Sequence, residues 1–199
     1  MVQKGSFVVI EGLDGSGKTT QAKLLVKKMQ KSHQPMFTAE PSHGKIGRLI
    51  RNQILYSETR SPTTLEALLF AADRIDHIQK EVLPALEKGH LVICDRYLYS
   101  SLAYQGSAGL NLNWIQEINA HALKPDLAIF IDVDPEVVLS RLKRKKSIME
   151  NLPTQRKVRE IYLKFVENGE LKLIDGDKPK TKVAQEVFEV VKAFLESEN

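Results

Sequence analysis

The chain has a single cysteine in 199 residues, so no internal disulfide can brace it. Cys94 follows the apolar run Leu91-Val92-Ile93, a setting for a buried structural thiol rather than a reactive one. Long hydrophobic runs are missing too. Stretches such as Phe7 to Ile10 and Ala67 to Ala72 fall far short of the about 20 apolar residues that a membrane helix needs. Lys4 is followed by four strongly apolar residues before Glu11, against roughly 7–15 in a secretory signal. These absences predict a cytoplasmic protein with no membrane partner. Charge of one sign is not extreme either: the net +4 suits phosphate handling but does not by itself indicate a polynucleotide partner. There is no repeat, low-complexity tract or linker, and 42% apolar content predicts one domain, residues 1–199, with a sizeable core.

What is present is an alternation of short apolar runs with longer helical patterns. Phe7 to Ile10, Pro35 to Ala39, Leu91 to Asp95, Leu127 to Asp132 and Leu171 to Ile174 read as strands, bounded by Gly, Pro, Asp or His. Residues 18 to 31 place Ala22, Leu25, Val26 and Met29 on one helical face. Residues 62 to 88 read as a helix that Pro84 kinks or divides. Further helices fit 112 to 122, 135 to 145, 154 to 167 and 181 to 196. The alternation predicts an α/β fold, a five-stranded parallel sheet flanked by helices in three layers. Ligands of such sheets bind outside the carboxyl ends of the strands.

At the first strand end, Gly12-Leu13-Asp14-Gly15-Ser16-Gly17-Lys18-Thr19 matches G-x-x-x-x-G-K-[ST], the phosphate-binding loop, between a strand and a helix. Its glycines let successive backbone N–H groups turn toward an anion at a helix N-terminus. Lys18 would then reach the β- and γ-phosphates of ATP and Thr19 would bind Mg²⁺. The dinucleotide fingerprint G-x-G-x-x-G does not fit. At the third strand end, Asp95 follows an apolar strand in the manner of a carboxylate that holds Mg²⁺. Arg96 beside it suits bidentate phosphate recognition. Two phosphate stations imply two phosphate-bearing ligands. The guanine-reading Asn-Lys-x-Asp of a GTPase switch is not found.

Longer motifs then become specific. Glu11-Gly12-x-Asp14-Gly15-x-Gly17-Lys18-Thr19-Thr20, Glu40-Pro41, Leu69-Phe70-Ala71-Ala72-Asp73-Arg74, the run from Asp95-Arg96-Tyr97 through Ser100-Ser101 to Ala103-Tyr104-Gln105-Gly106, and Lys124-Pro125-Asp126-Leu127 together resemble the thymidylate kinase family over nearly the whole chain. The resemblance implies a P-loop kinase fold with a basic lid, ATP and dTMP as ligands, Mg²⁺ as cofactor, no nucleic-acid partner, and a homodimer. It further implies that Phe70 stacks on thymine, Arg74 hydrogen-bonds a thymine carbonyl, Arg96 contacts the dTMP phosphate, Tyr104 lies against the deoxyribose and Gln105 reaches the base. Asp14 resembles the family's loop carboxylate near the sugar and metal. Glu40, Ser101 and Arg51 are assigned to the acceptor site as well, Arg51 toward its phosphate.

The chain departs from the family pattern at three places. Ser42-His43-Gly44 replaces two glycines after Glu-Pro, Ser101 stands where many relatives carry Asn, and Ile148 stands where a lid arginine is common. Because loop position 15 is glycine, the charge that stabilises the transferring phosphoryl group is expected from the basic run Arg141-Leu-Lys143-Arg144-Lys145-Lys146. A lid over about 141–151 is expected, with Arg141 and Arg144 catalytic alongside Lys18 and Arg96. Two alternatives stay open: a deoxynucleoside kinase in which Glu40 acts as base toward a hydroxyl, and a non-catalytic nucleotide- or nucleic-acid-binding module using residues 141–146.

Overall fold

The computed structural model describes residues 4–55, 61–141 and 151–197. Five strands, β1 (Phe7–Gly12), β2 (Pro35–Ala39), β3 (Leu91–Asp95), β4 (Leu127–Asp132) and β5 (Lys172–Asp175), form one parallel sheet in the order β2-β3-β1-β4-β5. Three of the expected strands have the bounds read from sequence; β1 runs on to Gly12 and β5 is shifted by one residue. The central strands are buried throughout, as expected for a sheet covered on both faces. The side chains of β1, β3 and β4 form the centre of the core.

The helices are α1 (Lys18–Met29), α2 (Lys45–Ile50), α3 (Thr63–His77), α4 (Leu83–Glu87), α5 (Leu98–Ser107), α6 (Leu112–Ile118), α7 (Pro135–Arg141), α8 (Leu152–Glu167) and α9 (Lys180–Ser197). Helix α1 buries Ala22, Leu25 and Met29, the face anticipated from their spacing. Helix α8 begins earlier than expected. Asn151 accepts a hydrogen bond from the Thr154 N–H at 3.0 Å, and Pro153 sits in the first turn, where no N–H partner is needed. The segment 62–88 divides ahead of Pro84: α3 widens into a π turn at Ile78–Val82 before α4, consistent with the bond that proline cannot donate. A second π turn, Arg51–Leu55, follows α2. Helices α2 and α5 had no counterpart among the expected elements.

Backbone bonds between strand ends draw the loops together. The Arg96 N–H donates to the Ile10 carbonyl and the Glu40 N–H to the Asp95 carbonyl, both at 3.0 Å. The ends of β1, β2 and β3, with residues 12–19, 40–42 and 95–96, therefore share one rim of the sheet, next to the point where strand order reverses. Two aromatic pairs anchor site residues to the core. Phe7 meets Tyr97 edge to face at 5.0 Å, and Phe130 stacks on Tyr162 at 4.7 Å, each pair contributing about 0.5–1.5 kcal/mol beyond burial.

Candidate active site

The loop after β1 turns through Gly12, Gly15 and Gly17, all at positive φ. Gly17, at φ 93°, is the N-cap of α1, a conformation that side-chain-bearing residues rarely adopt. Lys18 is buried and its Nζ donates to the Leu13 carbonyl at 2.7 Å. Burial, reinforced by repulsion from Arg96, lowers its pKa to about 8, opposed by Asp14, Asp95 and Glu11. The Thr19 hydroxyl donates to Asp95 Oδ2. Asp95 Oδ1 is buried without a hydrogen-bond partner among the described residues. A buried carboxylate oxygen with no donor, next to a hydroxyl, fits a hard divalent cation such as Mg²⁺.

Arg96 follows β3 in the left-handed conformation, φ 70°, at a cost of roughly 1–2 kcal/mol for a residue with a side chain. That conformation turns its guanidinium back across the phosphate loop. Nη2 donates to Asp14 Oδ1 at 2.6 Å, while Nη1 donates to the Gly12 carbonyl at 3.2 Å and to Ser100 Oγ at 2.9 Å. Tyr104 completes the cluster: its hydroxyl donates to Asp14 Oδ2 at 3.1 Å, accepts from the Asp14 N–H at 3.2 Å, and its ring lies 5.2 Å from the guanidinium carbon. Burial alone would raise the Asp14 pKa, but the charges of Arg96 and Lys18 outweigh it and hold it at about 2. Asp14 is thus an anion at physiological pH that ties the donor loop to Arg96.

Beneath this cluster lies Glu11, a fully buried carboxylate at the end of an apolar strand. Its Oε1 accepts from the Tyr97 N–H at 2.9 Å and the Ser100 N–H at 3.2 Å, and its Oε2 from Ser100 Oγ at 2.6 Å and the Tyr162 hydroxyl at 3.0 Å. Burial raises its pKa, against the lowering effect of these bonds and of Arg96. The four bonds hold the turn on which Arg96 is mounted.

The remaining acceptor residues line a second group around α3. Arg74 is 1% exposed, so it is not a solvated surface charge. Its Nε and Nη2 reach Glu40 Oε2 at 3.0 and 2.8 Å, Nη1 donates to Asn119 Oδ1, and Nη2 donates to Ser101 Oγ at 3.0 Å. The neighbouring Asp73 accepts from the N–H and the hydroxyl of Ser42, both at 2.6 Å. Ser42 Oγ also accepts from the Gly44 N–H, so the serine that departs from the family pattern closes this loop itself. A Cβ on Gly47 would lie 2.0 Å from the Ser42 carbonyl oxygen, which explains a glycine inside α2. Arg51 donates to the Pro41 and Ser42 carbonyls at 2.5 Å and so braces the same loop. Phe70 is half-buried and is not packed against the core. Gln105 is buried with its Oε1 unpartnered among the described residues.

The residues anticipated in the phosphate loop, at Asp95 and Arg96, and at Tyr104 therefore gather in one cluster, and Glu40, Arg51, Arg74 and Ser101 in another. Helix α7 ends at Arg141, whose Nη2 lies 3.6 Å from Asp177 Oδ1 on the surface. Arg144, with Lys143, Lys145, Lys146 and Ile148, falls outside the described residues. Sequence reasoning passed over Asp73, Asn119, His77 and Tyr162. It also passed over two arginines of α8, Arg156 paired with Glu136 and Arg159 bidentate on Asp132. An acidic residue inside the apolar run of β1 was a visible signal for Glu11; Asn119 and Tyr162 reach the site only through the fold.

Comparison with known proteins converges on one family. A sequence model described as thymidylate kinase matches residues 10–187. A probable thymidylate kinase of Pyrococcus abyssi is 46% identical over 201 residues, covering 96% of this chain and 98% of the relative. Those of Methanocaldococcus jannaschii and Pyrobaculum aerophilum are 44% and 43% identical, each over 96% of this chain and 96% and 98% of their own. With the loop and the strand-end Asp-Arg pair in one cluster and the Glu40–Arg74 group in another, the chain belongs to the thymidylate kinase family.

Proposed function

We infer that this chain, as a kinase of this family, transfers the γ-phosphoryl group of ATP to dTMP, giving dTDP. The observation that supports the reading is the Asp14–Arg96–Tyr104 cluster, which ties the loop assigned to the triphosphate to the arginine assigned to the second phosphate. In this reading Gly12 to Thr19 cradle ATP, and Lys18 neutralises the β- and γ-phosphates. Thr19 and Asp95 would hold Mg²⁺, which when bound neutralises charge on the triphosphate. Arg96 holds the acceptor phosphate, with Arg51 beside its loop. Tyr104 and Asp14 bound the sugar. Phe70 stacks on the base, while Arg74, Ser101 and the unpaired Oε1 of Gln105 supply polar contacts to it.

The chemistry asks little more of the protein. A phosphomonoester has a second pKa near about 6, so the acceptor is mostly a dianion at neutral pH and needs no general base. Positioning and charge neutralisation suffice. Glu40 supports this over a hydroxyl acceptor: it is buried, and both of its oxygens are committed, to Arg74 and to His77. One domain carries both stations, residues 141–151 act as its lid, and Arg141 and Arg144 supply charge to the transferring group. Leu65 and Leu68 on α3, and Leu49 on α2, are each at least 40% exposed, an apolar surface that supports a homodimer. Among the described residues no helix is long and apolar enough to cross a membrane, which fits a cytoplasmic site of action. A panel of nucleoside monophosphates with ATP and Mg²⁺ tests the assignment: dTMP is the preferred acceptor, and preference for a purine monophosphate refutes it.

A further inference from the structure

His77 lies wholly inside the protein, on the turn of α3 that follows Arg74, and plays no part in the chemistry above. Its hydrogen bonds fix its protonation. The Thr38 hydroxyl has one proton and gives it to Glu81 Oε2 at 3.0 Å, because a carboxylate only accepts. The Thr38 oxygen must then accept from His77 Nε2, 2.6 Å away. The other ring nitrogen, Nδ1, faces Glu40 Oε1 at 3.2 Å, again an acceptor. Both nitrogens donate, which only the imidazolium can do. The charges then balance: Glu40 and Glu81 against Arg74 and His77. A neutral ring leaves this chain of contacts one proton short, with buried Glu40 answered by Arg74 alone.

The other titratable groups facing the cluster do not compete for this role. On β3, Cys94 is in register with Thr38, and burial pushes its thiol up, leaving it neutral. Tyr97, whose ring lies 5.1 Å from the Arg74 guanidinium carbon, is likewise raised by burial. On the same helix Asp73 is taken by Ser42 and Asp76 by Lys80.

We propose that His77 is a positioning residue for acceptor recognition: its imidazolium, tied through Thr38 to Glu81, fixes Glu40 and thereby the guanidinium of Arg74. The proposal rests on the reading of Arg74 as a contact of the acceptor base. It makes dTMP affinity depend on a residue that touches no substrate. Loss of the ring's bonds to Thr38 and Glu40 raises KM for dTMP while turnover at saturating dTMP holds.

The test compares wild type with His77→Gln and Thr38→Val by steady-state kinetics at one neutral pH. In both variants KM for dTMP is higher by on the order of tenfold, the scale of one lost buried hydrogen bond to a charge, while kcat and KM for ATP match wild type. Long-range ¹H–¹⁵N spectra of the wild-type protein, which depend on no variant, show both His77 nitrogens protonated at neutral pH. A ring with one proton, or a His77→Gln KM for dTMP equal to that of wild type, overturns the proposal. Arg74→Lys separates the two levels: if it leaves KM for dTMP unchanged, the base-reading role fails and His77 with it. If it raises KM while His77→Gln matches wild type, the His77 inference alone fails.

Discussion

Replacing Glu11 probes how Arg96 is held, because the carboxylate touches the mounting of that arginine rather than its working end. In Glu11→Leu the Tyr97 N–H loses its acceptor, while the Ser100 N–H keeps the Tyr97 carbonyl at 3.2 Å. The hydroxyls of Ser100 and Tyr162, 3.0 Å apart, can bond each other. One buried unpaired donor, the Tyr97 N–H, gives a loss of about 1–3 kcal/mol in folding stability. Glu11→Gln is a different perturbation. Its carbonyl can keep both N–H groups, and its amide can donate to two hydroxyls that rotate to accept. Burial raises the Glu11 pKa, so the fold favours an uncharged group there, and the loss of attraction to Arg96 is offset by an easier burial. The expected cost is about 1 kcal/mol or less. Urea melts measure the stabilities. In Glu11→Leu, Arg96 is also freed from its left-handed turn, and kcat/KM for dTMP falls by on the order of 10²-fold, as for a misplaced positioning group. Glu11→Gln retains most of it. Equal losses of stability in the two variants would refute the reasoning, since charge rather than hydrogen bonding would then be what the site requires.

Gly47→Ala forces a Cβ into the Ser42 carbonyl. It should cost about 1–3 kcal/mol, as overpacking does, and raise KM for dTMP more than for ATP, measurable by melts and kinetics together. Lys18, with a pKa lowered to about 8, binds triphosphate as the cation. The kcat/KM for ATP, which reports the free enzyme, should therefore be full below that pH and decline as pH rises through it; a flat profile to higher pH contradicts this. Asp95→Asn keeps the contact with Thr19 but removes the anionic oxygen pair. The Mg²⁺ concentration for half-maximal activity, titrated at fixed ATP, should rise on the order of tenfold or more.

The sheet and the phosphate loop were legible because their signals are local. Alternating apolar runs mark strands, and Gly12 to Thr19 is a contiguous motif. Helix α2 was not, because it is six residues long and carries Gly47, a poor helix former that only the approach of Ser42 explains. Helix α5 was hidden by three serines and two tyrosines, residues of weak helix preference; packing of Leu102, Ala103 and Tyr104 in the core overrides that preference. Arg74 and Glu40 were found as single residues, but their pairing, and the fixing of both by Asn119, Ser101 and His77, join segments far apart in the chain. The bond from Tyr162 to Glu11 spans 151 residues. Such contacts leave no local pattern and become visible only when strand order brings the ends of β1, β2 and β3 to one rim.

The account stands most directly on what the protein phosphorylates. Incubated with ATP and Mg²⁺ and either dTMP or thymidine, with products resolved by ion-exchange chromatography, it should form dTDP and ADP in equal amounts from dTMP and leave thymidine unchanged. Conversion of thymidine to dTMP, with no dTDP formed from dTMP, would contradict the account.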